Sequence, residues 1–211
     1  MFDGDSITDG GRDRNDPCSL AGYTALIAER LAAEAAVYGL RFFNRGVPGD
    51  NSAMLLARLD AELKEIKPTV FSMLIGINGN AHDEHFMTAE RYAATVEAIL
   101  SAVSVYTNRI ILLEPFLLPT DRDTRVSYAD LNPKINALRK IAAQFKTDYI
   151  PLDGIFAELC IKNEPSVFSS DGIHPTERGN AVIAAEWLKR LDAGQEKAAE
   201  AKTIRRKNRR I

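Results

Sequence analysis

The sequence predicts an α/β protein built on a parallel sheet covered by helices on both sides. Residues 70–77 and 109–113 form short apolar runs, as expected of strands buried on both faces. Between them lies a longer segment in which Tyr92, Val96, Ile99 and Val103 recur at i, i+4, i+7 and i+11, the period of a helix. Such alternation of strand and helix runs through the whole chain, which favours parallel pairing. There is no internal repeat and no interdomain linker.

Taken in order, Gly4-Asp5-Ser6-Ile7-Thr8-Asp9-Gly10-Gly11 is a small, polar, turn-prone run leading towards a helix. Only Met1, Phe2 and Asp3 precede it, so the buried first strand is expected to be truncated. Residues 12–17 are a polar loop. A helix is expected over 20–38, with Tyr23, Leu26, Ile27, Leu31 and Ala35 on one stripe and Gly39 as its stop. A short strand over 40–44 then ends in the loop 45–52, where Asp50 to Ser52 offer caps for a helix running to about Lys64. The apolar run 70–77 closes on Gly76-Ile77-Asn78-Gly79-Asn80, and Thr88 opens the next helix. The strand at 109–113 stops at Glu114-Pro115, a helix follows over 127–145, and residues 149–152 form a short last strand. A helix at 154–160 and the loop 169–175 lead to the final helix, with Ile183, Trp187, Leu188 and Leu191 on one face.

The chain has 211 residues, 45% of them apolar and 27% charged, which suits one globular domain with a substantial core. No apolar run approaches the roughly 20 residues needed to span a bilayer, and no secretory signal opens the chain. Cys18 and Cys160 are too few for a disulfide framework and lack metal-site spacing, so the cytoplasm is the expected compartment. The formal charge of -2 hides an asymmetry: residues 194–211 carry seven Lys/Arg against Glu196 and Glu200. A domain over 1–193 and a basic tail over 194–211 are expected, the tail as a solvated helix extension. No nucleic-acid or membrane partner is implied; the oligomeric state, a homo-oligomer included, stays open.

In a doubly wound sheet, functional groups gather outside the carboxyl ends of the strands. Four loops leave at that end, carrying Ser6, Gly46, Asn78 and the Asp171/His174 pair. Asp and Ser are also favoured helix caps, so the first loop alone reads more readily as a plain helix start than as a nucleophile loop. Together, however, the four loops hold the parts acyl transfer needs: a nucleophile, a base, a group orienting the base, and oxyanion donors. Ser6 supplies the hydroxyl and His174 the base. Asp171 can fold back within one turn to hold the other imidazole nitrogen. The backbone N–H groups of Ser6 and Gly46 and the Asn78 side-chain amide are the natural oxyanion donors. Glycine at 46 is expected because a side chain would crowd the reacting carbonyl.

These residues resemble the four sequence blocks of the GDSL (SGNH) hydrolases. Gly-Asp-Ser at 4–6, Asn44-Arg45-Gly46, Gly76-Ile77-Asn78 and Asp171-Gly172-Ile173-His174-Pro175 occur in that order from residue 2 to about 191. The resemblance implies a three-layer, flavodoxin-like α/β/α fold with a five-stranded parallel sheet. It implies Ser6, Asp171 and His174 as a catalytic triad, with Gly46 and Asn78 completing the oxyanion hole. The pairing of Gly-Asp-Ser-Ile-Thr-Asp with Ile-Gly-Ile-Asn looks most like the bacterial acetylxylan esterase subgroup. Two positions depart from the family pattern: Gly79 stands where an aspartate is usual, and Pro48 replaces a small polar residue.

The expected function is therefore a serine ester hydrolase that removes short acyl groups, acetyl from carbohydrate among them, without a cofactor. An acyltransferase using the same triad and a catalytically silent binding protein on the same fold are the alternatives. His82-Asp83-Glu84-His85 has two histidines three apart, but no further ligand set is evident, and it is read as a pocket rim and not as a metal site. Glu114 is read as structural or pocket-lining, Trp187 as core, and Arg12 and Arg14 as solvated loop charges.

Overall fold

The two apolar runs pair at the middle of the sheet: Phe71–Leu74 (β2) lies parallel to Ile110–Leu113 (β3), with Phe71 opposite Ile110. Phe2–Gly4 (β1) flanks β2 and Asp148–Ile150 (β4) flanks β3, giving the order β1-β2-β3-β4 with all neighbours parallel. The computed structural model describes residues 1–81, 84–120 and 126–208, with side chains described as far as 192. Because side chains alternate across a pleat, each inner strand serves two cores. Phe71, Met73, Ile75, Ile110 and Leu112 face one way, into Ser52–Ile66 (α4), Ala89–Val103 (α5) and the later turns of Tyr128–Phe145 (α6). Leu74, Ile111 and Leu113 face the other way, into Gly22–Arg30 (α2), Leu152–Cys160 (α7) and Glu177–Asn208 (α8). The result is the expected three-layer arrangement.

The helices start where their caps stand. Asn51 accepts from the Ala53 and Met54 N–H groups at α4, Thr88 from Arg91 N–H at α5, and Ser127 from Asp130 N–H at α6. Trp187 on α8 is buried, packs 5.4 Å from the Phe2 ring and donates its indole N–H to Ser72 Oγ, which makes it core as expected.

Three elements depart from the sequence reading. The helix expected over 20–38 breaks at Leu31 into α2 and Ala32–Tyr38 (α3), and Leu26 turns out exposed. The strand expected over 40–44 shrinks to one bridge, Phe2 to Asn44, so four strands form ladders where five were implied. Asn44 is the residue that makes this bridge, and its buried side chain donates to Thr8 O and Thr24 Oγ1, tying the bridge to the start of the chain. The first strand is short but central: Phe2 N–H donates to Phe43 O, Phe2 O accepts from Arg45 N–H, and β2 pairs on the other side. The boundary expected at 193/194 falls inside α8. The tail's side chains and residues 209–211 lie outside the described residues. Among the described residues no helix is long and apolar enough to cross a membrane.

β1 hands over directly to a four-residue helix, Ser6–Asp9 (α1), far too short to persist alone. Tertiary packing holds it. Gly46 lies so close that an added Cβ would sit 2.3 Å from Asp9 N and 2.8 Å from Asp5 O. Helix α1 by itself thus requires a glycine here, a constraint beyond the one the sequence suggested. Asp5 caps α1 by accepting from Ile7 N–H at 2.9 Å, and its complete burial pushes its carboxyl up to about 7 against that bond.

Two outcomes follow. Gly46→Ala should lower stability by about 1–3 kcal/mol, because backbone must move to admit the methyl; urea unfolding reads this directly. A carboxyl raised on folding binds more protons in the native state than in the unfolded one between about pH 4 and 7. Wild-type stability should therefore fall, relative to Asp5→Asn, as pH rises through that window, by at most roughly 1.4 kcal/mol per unit, and level off above it. Parallel urea titrations of the two proteins at pH 4 to 8 check the slope.

Candidate active site

Ser6 stands at the first position of α1, just beyond the carboxyl end of β1. Its backbone N–H has no partner among the described residues, as befits the first turn of a helix. Its Oγ lies 3.0 Å from His174 Nε2. His174 Nδ1 lies 2.7 Å from Asp171 Oδ2. The other carboxylate oxygen, Oδ1, accepts from Ile173 N–H at 2.9 Å, His174 N–H at 2.8 Å and Ser169 Oγ at 3.1 Å. Partial burial works to raise the Asp171 carboxyl. The bonds from the His174 ring and from the two N–H groups outweigh it and hold the group well below the usual carboxylate range. An ionised carboxylate only accepts, so Nδ1 carries the proton and Nε2 is the acceptor facing Ser6.

The loop that brings Asp171 and His174 together turns at Gly172, whose φ of 86° is a conformation that suits glycine. It is pinned to the chain after β3 by Leu118 N–H donating to Gly172 O at 2.9 Å. The imidazole stays half exposed, in a cleft of 310 Å³ lined by Ser6, Ile7, Gly10, Pro48, His174 and Asn180 among others. Asn180, on α8, also accepts from Tyr23 N–H at 2.9 Å, while Tyr23 Oη meets Thr8 Oγ1 at 2.9 Å. The helices behind the cleft are thereby tied to α1.

The expected oxyanion donors are unequal. The Ser6 N–H is unpartnered among the described residues. Asn78 gives one amide proton to Asp50 O at 2.9 Å, and its second has no partner among the described residues. The Gly46 N–H already donates to Asn44 Oδ1 at 3.0 Å.

Gly79 adopts φ 72°, and a Cβ there would lie 2.8 Å from Met87 Cβ, so this loop is shaped around a glycine. Arg12 is buried beside Asp9, with its Nη2 3.4 Å from Gly46 O, and is not the solvated charge expected; Arg14 is half exposed, 2.9 Å from the same Asp9. Glu114 is structural: it is fully buried, and its carboxylate accepts from Arg139, Tyr149 Oη and Asp153 N–H. His82 and Asp83 lie outside the described residues. Glu84 and His85 line a second cleft of 390 Å³ with Asn51, Met54, Phe86 and Arg91.

Two residues near the site were missed in the sequence. Arg58 on α4 reaches Asp3 Oδ1 and Asp50 Oδ2 at 2.8 Å, Gly4 O at 3.2 Å and Glu62 Oε2 at 2.9 Å. Lys134 on α6 is buried on a stripe with Leu131, Ile135 and Leu138. A lysine at a core position of a helical stripe was the available signal.

The sequence profile of the GDSL-like lipase/acylhydrolase family matches residues 2–182. The acetylxylan esterase of Geobacillus stearothermophilus is 26% identical over 204 residues, covering 90% of this chain and 92% of its own. Its crystal structure superposes with a TM-score of 0.80, and two solved variants described as catalytic mutants replace a serine and a histidine by alanine. Esterase TesA of Pseudomonas aeruginosa is 29% identical over 156 residues, 73% of this chain and 70% of its own. LAE5, an alpha/beta hydrolase enzyme from the Lake Arreo metagenome, matches with a TM-score of 0.80 at 26% identity, over 90% of this chain and 92% of that one. With four sequence blocks gathered at one sheet end and a profile match over most of its length, this chain belongs to the GDSL-like lipase/acylhydrolase family and is a carboxylic ester hydrolase.

Proposed function

We propose that the chain removes short acyl groups, acetyl on saccharides in particular, with Ser6 as nucleophile, His174 as general base and Asp171 as its orienting group. The observation that carries this reading is the unbroken line from Ser6 Oγ to His174 Nε2 at 3.0 Å and from Nδ1 to Asp171 Oδ2 at 2.7 Å. In the acylation step Nε2 takes the Ser6 proton as Oγ attacks the ester carbonyl. The tetrahedral oxyanion forms against the Ser6 N–H and the second Asn78 amide proton, with the Gly46 N–H as a donor shared with Asn44 Oδ1. Protonated His174 then hands its proton to the departing alcohol, which leaves an acyl group on Ser6 Oγ. Water, deprotonated by the same nitrogen, attacks that acyl carbonyl, releasing the acid and restoring Ser6.

A cleft of 310 Å³ bordered by Gly10, Gly11 and Pro48 supports a small acyl group over a long chain. The acetylxylan esterase relative supports a saccharide as the alcohol part. Initial rates on acetylated xylo-oligosaccharides against nitrophenyl esters of rising acyl length test both. Acetyl esters should be preferred, and a preference for long acyl chains would overturn the reading. Acyl transfer to an added sugar hydroxyl in place of water would favour the acyltransferase instead.

Ser6→Ala should reduce hydrolysis to below a few per cent of wild type while leaving the fold intact, and should abolish labelling by a fluorophosphonate. Full labelling of the variant would remove Ser6 from its role.

Asn78→Ala should lower kcat by roughly 10²–10³, the usual cost of one oxyanion donor, with KM little changed because the bond strengthens only as charge develops. Steady-state kinetics on nitrophenyl acetate separate this from a ground-state binding role, which would raise KM alone.

A further inference from the structure

A lysine on a helix ordinarily keeps its ammonium in water, since burying that charge costs several kcal/mol unless acceptors replace the solvent. Lys134 is only 2% exposed. Its Nζ lies 3.0 Å from Asn78 O, 3.0 Å from Gly79 O and 3.5 Å from Gly76 O. All three carbonyls belong to the loop that leaves β2 and carries Asn78. An ammonium directs its protons along three diverging axes, so a single cation among three carbonyls of one loop fixes the curvature of that loop. Carbonyl dipoles turned towards a common point would otherwise repel one another. Asp50 O accepts from the Asn78 side-chain amide at 2.9 Å. The backbone of Asn78 is thus held by Lys134 and its side chain by the loop before α4, which leaves one amide proton in a set direction.

We infer that Lys134 is a positioning residue for ester hydrolysis: by gathering the carbonyls of Gly76, Asn78 and Gly79, it aims the Asn78 amide at the oxyanion. This rests on the oxyanion role proposed above for Asn78. The Lys134 ammonium contacts the backbone of the loop that carries Asn78, so it acts through Asn78 and not on substrate. Its effect belongs in kcat, and only while the Asn78 amide is present.

The test is a double-mutant cycle on nitrophenyl acetate with wild type, Lys134→Met, Asn78→Ala and the double variant, each checked for fold by near-UV circular dichroism. Methionine keeps an unbranched apolar stem of similar length and removes the three donors. Lys134→Met should lower kcat by about 10–100-fold, up to the loss from removing the donor itself, with KM within about twofold. In the Asn78→Ala background the same substitution should cost less than about threefold, because the group it aims is gone. If Lys134→Met does not fold, Lys134→Gln enters the same cycle. Its amide still donates to two carbonyls, and its loss in kcat should again vanish in the Asn78→Ala background. A kcat unchanged by the Lys134 substitution while Asn78→Ala is impaired would overturn this inference alone. So would a loss that persists undiminished beside Asn78→Ala. A kcat unaffected by Asn78→Ala would overturn the oxyanion reading, and this inference with it.

Discussion

One guanidinium joins the chain segments that the site requires. Arg58 projects from α4 and binds the carboxylate of Asp3, the carbonyl of Gly4 and the carboxylate of Asp50, with Glu62 one helical turn on. Asp3 and Gly4 end β1, which delivers Ser6; Asp50 precedes α4, and its carbonyl receives the Asn78 amide. Burial acts to depress the guanidinium's affinity for its proton, but Asp3, Glu62 and Asp50 more than reverse this and hold Arg58 firmly charged. A planar group with five donors can serve several acceptors at fixed angles, which the compact ammonium of a lysine cannot. Removing it would leave Asp3 buried without its cation, the kind of loss that costs about 3–5 kcal/mol.

A second set of polar contacts holds the other side of α1. Asn44 donates to Thr8 O and Thr24 Oγ1 and accepts from Gly46 N–H. Tyr23 meets Thr8, and Asn180 on α8 meets Tyr23. These are buried or part-buried side chains with their hydrogen-bonding capacity in use, so they specify one arrangement where apolar contacts would allow sliding. A helix of four residues has no stability of its own to contribute. Its geometry, and the direction of the Ser6 N–H, come from the close approach of Gly46 together with these contacts. Catalysis by fixed dipoles depends on such rigidity, because donors that must reorganise as charge develops give back much of their benefit. The cleft is open while the frame around it is buried.

Much of this was legible in the sequence. Continuous apolar runs identified β2 and β3, periodic stripes identified the helices, and Asp171-Gly172-Ile173-His174 held the spacing of a carboxylate folding back on an imidazole. What resisted was whatever depends on distant partners. The strand at 40–44 has the composition of a strand, yet it pairs with β1 at Asn44 alone, whose side chain binds Thr8 on α1, 36 residues away in the chain. Gly46 was read as making room for substrate, because nothing local announces that a helix backbone will press against it.

By itself, then, the sequence determined the layered fold and which residues could meet at the carboxyl end of the sheet, since periodicity and loop chemistry are properties of short stretches. Only the tertiary structure decided which groups stand behind them. Arg12 read as a solvated loop charge and Arg58 drew no reading, while Lys134 was marked only by its place on an apolar helical stripe. They are buried or partly buried because carbonyls and carboxylates from remote loops converge on them, a condition that exists only once the sheet has assembled.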